Sequence, residues 1–343
     1  MNDTVLSASR DSIRRGSTSF AAAARLFDPR IREDAYMLYA WCRHCDDEID
    51  DQVMGHGAVG LDSVRAARKL AQLEDKTRSA MAGELVDDTA FAAFQRVTQR
   101  HGIPAQHPLD LLQGFRMDVE GRTYRTLQDT LLYAYHVAGV VGVMMAQVMG
   151  VRDIATLRRA SDLGLALQLT NIARDVIEDA KVGRVYLPAQ WLGAVAEHPM
   201  AVADPANRAV VFAATERLLV EAEPYYASAR WGLKDLDFRS AWAVATARGV
   251  YRQIGLTVRA AGPAGMDRRA STGTLIKIVR VLQGGLVAVR AATLDRWGPN
   301  PTDRPYGRHS KFKAAAAPQT TVPQEIPRPR NSRARSKLQA LSC

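Results

Sequence analysis

A helical spacing of apolar residues runs through most of the chain and constrains its fold more than any other feature. In LFDPRIREDAYMLYAWCRHCDDEIDDQ, residues Ile31, Ala35, Leu38, Tyr39 and Cys42 recur at three- and four-residue steps after a proline near the first turn. The same spacing recurs in LDSVRAARKLAQLEDKTRSAM, TLLYAYHVAGVVGVMMAQVMG, ATLRRASDLGLALQLTNIARDVIEDA, ANRAVVFAATERLLVEAEPYYASAR and FRSAWAVATARGVYRQIGLTVRAAG. Alternating strand patterns between Asn-Gly or Asp-Gly turns are missing. The sequence therefore predicts an all-α fold, a single-domain bundle of antiparallel helices around a central cavity.

The end of the chain differs from this body in composition. Residues 300–343 hold nine Lys or Arg and two acidic residues, so they carry +7 of the net charge of +10, together with six of the fifteen prolines. Such a segment buries too little apolar surface to order itself. We therefore predict an N-terminal segment at 1–15, a helical domain at 16–299 and a flexible basic tail at 300–343. A nearly neutral domain does not favour nucleic acid as a partner.

Cysteine usage and hydropathy bear on the location of the protein. Cys42, Cys45 and Cys343 are too few for a disulfide framework, so we expect a reducing cytosol. The first residues carry several charges and lack the apolar core of a secretory signal. The most apolar run, 137–151, is interrupted by Gln147 and is shorter than the ~18 residues that cross a bilayer. We expect this run to form a buried helix.

The first candidate site is the acidic segment DDEIDD at 46–51. Asp46 and Asp50 are four residues apart, so a helix would present both on one face. A run of like charges is most simply explained as a solvated surface. Paired carboxylates can also hold Mg²⁺, which takes one or two protein carboxylates and completes its shell with water and substrate phosphate oxygens.

The second candidate site is a polar stripe in LGLALQLTNIARDVIEDAKVGRVYLP. Gln168, Asn171, Asp175 and either Asp179 or Glu178 recur at steps of three and four between apolar residues that would bury the helix. Buried carboxylates need a cation, which a neighbour such as Arg174 or a bound metal could supply. Two acidic stripes on separate helices of one bundle favour metal binding.

Two acidic helices that face each other across an apolar cavity suit a prenyl diphosphate. Mg²⁺ would screen the diphosphate and stabilise the leaving pyrophosphate, while the hydrocarbon chain lies in the apolar interior. Departure of pyrophosphate leaves an allylic carbocation, which aromatic faces can stabilise. We expect the depth of the cavity to depend on which small residues among Ala138, Gly139, Gly142 and Gly164 line its floor.

Other signals are weaker. Cys42 and Cys45 form a CxxC without a second pair, so zinc is not favoured. The chain has no HExxH, GxSxG or GxxxxGK[ST], and no GxGxxG follows a strand. These absences argue against zinc-protease, hydrolase, kinase and Rossmann dinucleotide sites.

The motifs together resemble the squalene/phytoene synthase family of head-to-head prenyl synthases. The likeness runs from about Gly16 to about Gly285, and bacterial members that make phytoene look most similar. The tail lies outside it. The segments that match the family's signatures are YAWCRHCDDEID (39–50), YAYHVAGVVGVMMAQVMG (133–150), LGLALQLTNIARDVIEDAKVGRVYLP (163–188) and AEPYY (222–226).

The resemblance implies a set of site residues. The implied Mg²⁺ ligands are Asp46, Asp50, Asn171, Asp175, Glu178 and Asp179. Tyr133 matches a tyrosine near the reacting carbons and counts, with Asp46, Asp50, Asp175 and Asp179, as catalytic. The implied contacts to diphosphate, or linings of the site, are Ser17, Ser19, Tyr39, Arg43, Gln168, Asn171, Arg174, Tyr251 and either Arg268 or Arg269.

The resemblance also implies a reaction. Two geranylgeranyl diphosphates would be joined through a cyclopropylcarbinyl diphosphate, prephytoene diphosphate, to 15-cis-phytoene, with Mg²⁺ or Mn²⁺ and no nicotinamide. The alternatives are a squalene or dehydrosqualene synthase that acts on farnesyl diphosphate, and a non-catalytic helical binding or assembly module. Expected partners are prenyl diphosphates, the inner face of the membrane by peripheral association from the cytoplasm, and other carotenoid-pathway enzymes.

Overall fold

The structure, a computed structural model, describes residues 3–50, 63–271 and 273–297. All regular secondary structure in these ranges is helical, which confirms the predicted all-α class. The α-helices are α1 (Thr4–Gly16), α2 (Thr18–Ala24), α3 (Pro29–Asp50), α4 (Ser63–Ala82), α5 (Thr89–His101), α6 (Gln106–Val119), α7 (Leu127–Ala134), α8 (Val140–Val148), α9 (Ile154–Lys181), α10 (Ala189–Leu192), α11 (Pro199–Ala203), α12 (Arg208–Gly232), α13 (Phe238–Ala261) and α14 (Thr274–Trp297). A π-helical turn, Tyr135–Gly139, joins α7 to α8.

Helix α9 forms the centre of the bundle. It begins after Asp153, whose carboxylate accepts a hydrogen bond from the Thr156 backbone amide at 2.9 Å and so caps the first turn. The helix packs against α8, α12 and α13. Leu169 and Val176 are buried within the protein, and the polar stripe of α9 lies on the cavity-facing side.

Two glycines allow α9 to pack closely against α8 and the π-helical turn that precedes it. A Cβ atom on Gly164 would collide with the carbonyl oxygen of Ala138, and one on Gly142 with the carbonyl oxygen of Ala160. Both glycines also line the central cavity. A side chain at either position would therefore clash with backbone across these contacts, so both glycines bear on packing, and their effect on cavity depth stays a prediction.

The segment Leu127–Val148 is long and apolar enough to span a membrane by length and composition, but most of it is buried inside the protein. It includes most of the apolar run that the sequence predicts to be a buried helix. This burial is typical of a core helix, because the side chains pack against protein rather than lipid.

Residues 4–16, which the sequence places almost entirely in an N-terminal segment, form α1. This helix packs against α3 and α5, and Ile13 is buried in a cluster with Ala24, Phe27 and Ala35. Helix α1 is thus packed onto the bundle. The predicted tail at 300–343 lies outside the described residues.

Candidate active site

A cavity of about 540 Å³ lies between α3, α8, α9 and α13. Its wall follows α9 from Thr156 to Asp179, which corresponds to ~35 Å at 1.5 Å per residue. Charged side chains gather on the wall near the C-terminal end of α9, and apolar residues such as Leu163, Val244 and Ala247 form much of the remainder. A long apolar cavity with one charged region suits an amphiphilic ligand that has a charged head and a hydrocarbon chain.

Most of the predicted site residues line this one cavity. They come from α3, α7 and α9, so the fold brings together segments that are far apart in the chain. The side chains of Ser19 and Asp50 lie outside the described residues. The predicted residues that do not form the wall are Ser17, Glu178, Tyr251, Arg268 and Arg269. The predicted residues that line the cavity are Tyr39, Arg43, Asp46, Tyr133, Gln168, Asn171, Arg174, Asp175 and Asp179.

The acidic end of α3 is paired with a cation on the same helix. Arg43 Nη1 lies 2.6 Å from Asp46 Oδ2 and 4.0 Å from Asp47 Oδ1. The guanidinium carbon of Arg43 also lies 5.9 Å from the centre of the Tyr39 ring. The end of α3 therefore offers both an anion for a metal and a cation for a phosphate oxygen.

Asp175 on α9 is held as an anion by two arginines. Arg174 Nε donates to Asp175 Oδ1 at 2.7 Å, and Arg269 Nε donates to the same oxygen at 2.8 Å. Burial alone would raise the pKa of Asp175, but the hydrogen bonds and charges of Arg174 and Arg269 hold that pKa below its ordinary value. The sequence left open whether Arg268 or Arg269 belongs to the site. Arg269 is the one that contacts a residue of the cavity wall.

The pKa of Asp179, one helical turn after Asp175, is raised and not lowered. Burial raises its pKa to about 8, and the negative charges of Asp175, Asp118 and Glu178 add to the shift against the effect of Arg184. The carboxylate thus lies where an additional cation would stabilise its ionised form. Glu178 itself is exposed and lies 3.5 Å from Arg269, measured from Oε2 to Nε.

These residues fit a bound Mg²⁺ that shares its shell with a ligand. Within the described ranges, which leave out the Asp50 side chain, no three His, Cys, Asp or Glu residues converge into a ready cation site. Mg²⁺ does not require one, because it takes one or two protein carboxylates and keeps places for water and phosphate oxygens. Asn171 Oδ1 is buried without a hydrogen-bond partner, and it stands one turn from Asp175. Asp179 lies two turns from Asn171, ~12 Å along the helix, so separate hard cations would satisfy this oxygen and the Asp179 carboxylate.

A tyrosine cluster adjoins the charged region. The Tyr133 hydroxyl donates to Asp118 Oδ2 at 3.0 Å, and the Tyr186 hydroxyl donates to Asp118 Oδ1 at 2.9 Å. The two rings stack, with centroids 4.6 Å apart and an angle of 16° between planes. Burial and the charge of Asp118 raise the pKa of both hydroxyls well above the usual value. The phenols are therefore neutral, and their rings are fixed against the cavity.

Asp118, Tyr186 and Arg184 line the cavity but were not singled out from the sequence. Asp118 is one acidic residue in the amphipathic helix α6 and has no acidic neighbour at helical spacing that would draw attention to it. Arg184 and Tyr186 lie in GRVYLP, a segment that the resemblance to the family does mark. This segment could have indicated Arg184 and Tyr186 as candidate site residues.

Two of the predicted residues outside the wall have structural contacts instead. Ser17 caps α2 by accepting a hydrogen bond from the Phe20 backbone amide at 3.3 Å. Tyr251 is buried with its ring 5.4 Å from that of Phe20, which lines the cavity. Trp41, on the same helix as Asp46, is fully buried and stacks on Phe94, so it does not form part of the cavity wall.

Comparisons with known proteins agree with this geometry. Residues 13–275 match the family model described as squalene/phytoene synthase. The chain is 52% identical over 281 residues to the 15-cis-phytoene synthase of Pantoea ananas, which covers 82% of this chain and 91% of that protein. It is 52% identical over 278 residues to the phytoene synthase of Pseudescherichia vulneris, and the match covers 81% of this chain and 90% of that protein. The fold is similar to the crystal structure of a dehydrosqualene synthase with a ligand, at TM-score 0.72 and 26% identity over 82% of this chain and 95% of that one.

Proposed function

The chain belongs to the squalene/phytoene synthase family, and we propose that it is a 15-cis-phytoene synthase that joins two geranylgeranyl diphosphates head to head. One observation supports this most strongly: Asp46 on α3 and Asp175 and Asp179 on α9 line the same apolar cavity. Several phytoene synthases share 50–52% of their residues with this chain over most of their length, and this similarity supports the choice of product.

The charged region of the cavity is suited to the two diphosphate groups. Arg43, Arg174 and Arg269 supply cations there, and each already holds a carboxylate that a bound cation could engage instead. We propose that Asp46, Asn171, Asp175 and Asp179, with Asp50 from the sequence, would hold Mg²⁺. When bound, Mg²⁺ screens the diphosphate charge and stabilises the leaving pyrophosphate.

The apolar part of the cavity is suited to the two prenyl chains. A wall of ~35 Å along α9 is long enough to follow an extended chain of four isoprene units. Apolar walls also keep water away from a carbocation, which would otherwise be trapped as an alcohol. The chain's own contribution at this stage is to orient the substrates and to exclude solvent.

The proposed reaction balances as two ionisations and two proton losses. The C1–O bond of one substrate breaks and its electron pair leaves with diphosphate. The double bond of the second substrate attacks that C1, and a proton is lost as the cyclopropane closes. The second C1–O bond then breaks, the cation rearranges, and loss of another proton gives phytoene. Tyr133 and Tyr186 line the cavity, and a ring face turned toward a cation can stabilise it by ~0.5 to 2 kcal/mol.

Cytoplasmic location with peripheral contact to the inner face of the membrane remains part of the proposal, because the product is a hydrocarbon that dissolves in lipid. Contact with other carotenoid-pathway enzymes and independence from nicotinamide stay predictions from the sequence.

The experiment is product analysis with the purified full chain. Labelled geranylgeranyl diphosphate is incubated with Mg²⁺ and no nicotinamide, labelled farnesyl diphosphate is tested in parallel, and the hydrocarbons are separated by chromatography. We expect phytoene from the first substrate. Conversion of farnesyl diphosphate alone would instead identify a squalene or dehydrosqualene synthase. A folded protein that converts neither substrate would be a non-catalytic module, and the proposal would be wrong.

A further inference from the structure

Helix α14 presents a continuous apolar face to solvent. Its buried side packs on α13, where Ala288 and Ala291 contact Ala241 and Ala245. The opposite side carries large apolar residues at steps of three, four and seven, which is the spacing of one helical stripe. We call these residues the α14 apolar face: Leu275, Ile278, Val279, Leu282, Leu286 and Val289.

The large side chains of the α14 apolar face are exposed and adjoin one another along the helix. Leu275 is 79% exposed, Leu282 65% and Leu286 73%. The helix has 24 residues and is therefore ~36 Å long. Large contiguous apolar patches on a folded protein mark a surface that binds a partner or a membrane, because water contact with such a patch is unfavourable.

The charged residues of α14 itself are mostly basic. The cations of α14 are Lys277, Arg280, Arg290 and Arg296. Its one carboxylate, Asp295, is buried and paired with Arg230 at 3.0 Å and with Arg290 at 3.4 Å. The sequence that follows the helix adds nine basic and two acidic residues over 300–343. A partner for this surface must therefore combine apolar groups with negative charge.

We propose that the α14 apolar face is a docking surface for an anionic lipid leaflet. A helix with leucines on one side and cations beside them can lie in the interface, with its side chains among the acyl chains and its cations among the headgroups. A second copy of this chain is less favoured, because pairing two α14 helices would bring like charges together. This inference rests on the proposed function in one respect: a lipid product gives the enzyme a reason to bind a membrane.

The test is vesicle co-sedimentation of the full chain. Vesicles of phosphatidylcholine alone are compared with vesicles that also contain phosphatidylglycerol. The variant Leu282→Gln with Leu286→Gln removes the centre of the face at two exposed positions, and Leu85→Gln with Met200→Gln is the matched control at exposed positions elsewhere. We expect the first variant to lower the partition coefficient on anionic vesicles by about tenfold or more, with unchanged thermal melting. The control variant should bind like the unmodified chain.

Arg290→Gln with Arg296→Gln tests the charge, and Asp295 keeps Arg230 as its partner in that variant. We expect weaker binding to anionic vesicles and no change on phosphatidylcholine. Equal vesicle binding by the unmodified chain and the leucine variant would overturn the proposal. So would a dimer in light scattering that the leucine variant converts to a monomer, since a second copy would then cover the face. Turnover of substrate in detergent micelles is measured separately, so loss of docking and failure of the proposed activity are distinguishable.

Discussion

Arg269 donates two hydrogen bonds to Asp175, from Nε to Oδ1 at 2.8 Å and from Nη2 to Oδ2 at 3.2 Å. The contact joins the segment between α13 and α14 to the C-terminal part of α9. It brings a cation to the edge of the cavity beside a carboxylate that already pairs with Arg174. The same guanidinium could donate to a diphosphate oxygen once a metal takes over part of the Asp175 charge.

Arg269→Gln is predicted to raise KM for the prenyl diphosphate by about tenfold or more, since a charge-assisted hydrogen bond contributes ~1.5 to 3 kcal/mol. Steady-state kinetics with the purified chain measures the effect. Arg268→Gln is the matched control at the adjacent exposed arginine, and it should leave KM nearly unchanged because the hydrogen bonds to Asp175 come from Arg269. Equal effects of the two substitutions would exclude a specific role for Arg269.

Tyr133→Phe is predicted to keep turnover within about tenfold of the unmodified enzyme, because the ring remains and the lost hydrogen bond to the Asp118 carboxylate holds the ring in the ground state and the transition state alike. Tyr133→Leu removes the aromatic face as well and should lower kcat by about a hundredfold or more. Single-turnover rates compare the two. A Phe variant as inactive as the Leu variant would show that the hydroxyl itself takes part in the reaction.

Gly164→Ala is predicted to lower the free energy of unfolding by ~1 to 3 kcal/mol, because its Cβ would meet the Ala138 carbonyl oxygen where the π-helical turn packs on α9. Urea denaturation measures the change. Gly273→Ala is the control, since a Cβ there meets no atom within 4 Å. If the Gly164→Ala variant had normal stability and made shorter products, a role in cavity depth would be supported instead.

Asp162 on α9 gives a prediction for pH. Burial raises its pKa to about 6, although Ser228 donates a hydrogen bond to it and Arg159 lies nearby. The unfolded chain releases this proton near pH 3.8, so the folded state binds more protons from about pH 4 to 6 and is destabilised by up to ~3 kcal/mol as pH rises through this window. Below about pH 4 the protonated carboxyl makes its full contribution to the free energy of unfolding.

Asp162→Asn removes this titration while it keeps a similar shape and can still accept a hydrogen bond from Ser228. We predict that the unfolding free energy of the variant, minus that of the unmodified chain, increases from pH 4 to pH 7 by up to ~3 kcal/mol. Urea titrations at several pH values measure it, with Asp75→Asn on the exposed side of α4 as control. A difference that is constant across pH would contradict the burial of an ionisable carboxyl at this position.

The sequence was sufficient for the features that depend on local periodicity. The helical class and the stripe of Gln168, Asn171 and Asp175 follow from spacing along one helix, and the structure places these residues on the cavity wall. The family's signature segments then indicated Arg43 and Tyr133. Residue spacing alone does not show that these two residues lie in the cavity.

Features that depend on how distant segments meet were not predictable. Arg269 could not be separated from Arg268, because the choice depends on how the chain turns between α13 and α14. Asp118 is a single carboxylate whose role arises only when Tyr133 and Tyr186 reach it from two other segments. Gly164 does line the cavity, but its second role in close packing depends on the approach of Ala138, which the sequence does not indicate. In each case the information lies in tertiary contacts and not in the local pattern.

The central claim is that the acidic segments of α3 and α9 hold diphosphate through a divalent cation, and calorimetric titration with inorganic pyrophosphate tests it most directly. The unmodified chain, Asp46→Asn, Asp175→Asn and the exposed control Asp75→Asn are each titrated with and without Mg²⁺. We predict that Mg²⁺ tightens pyrophosphate binding by about tenfold or more in the unmodified chain and the control, and that each of the two site variants loses most of this gain. Binding that is equally tight without Mg²⁺, or a full gain in both site variants, would contradict the claim.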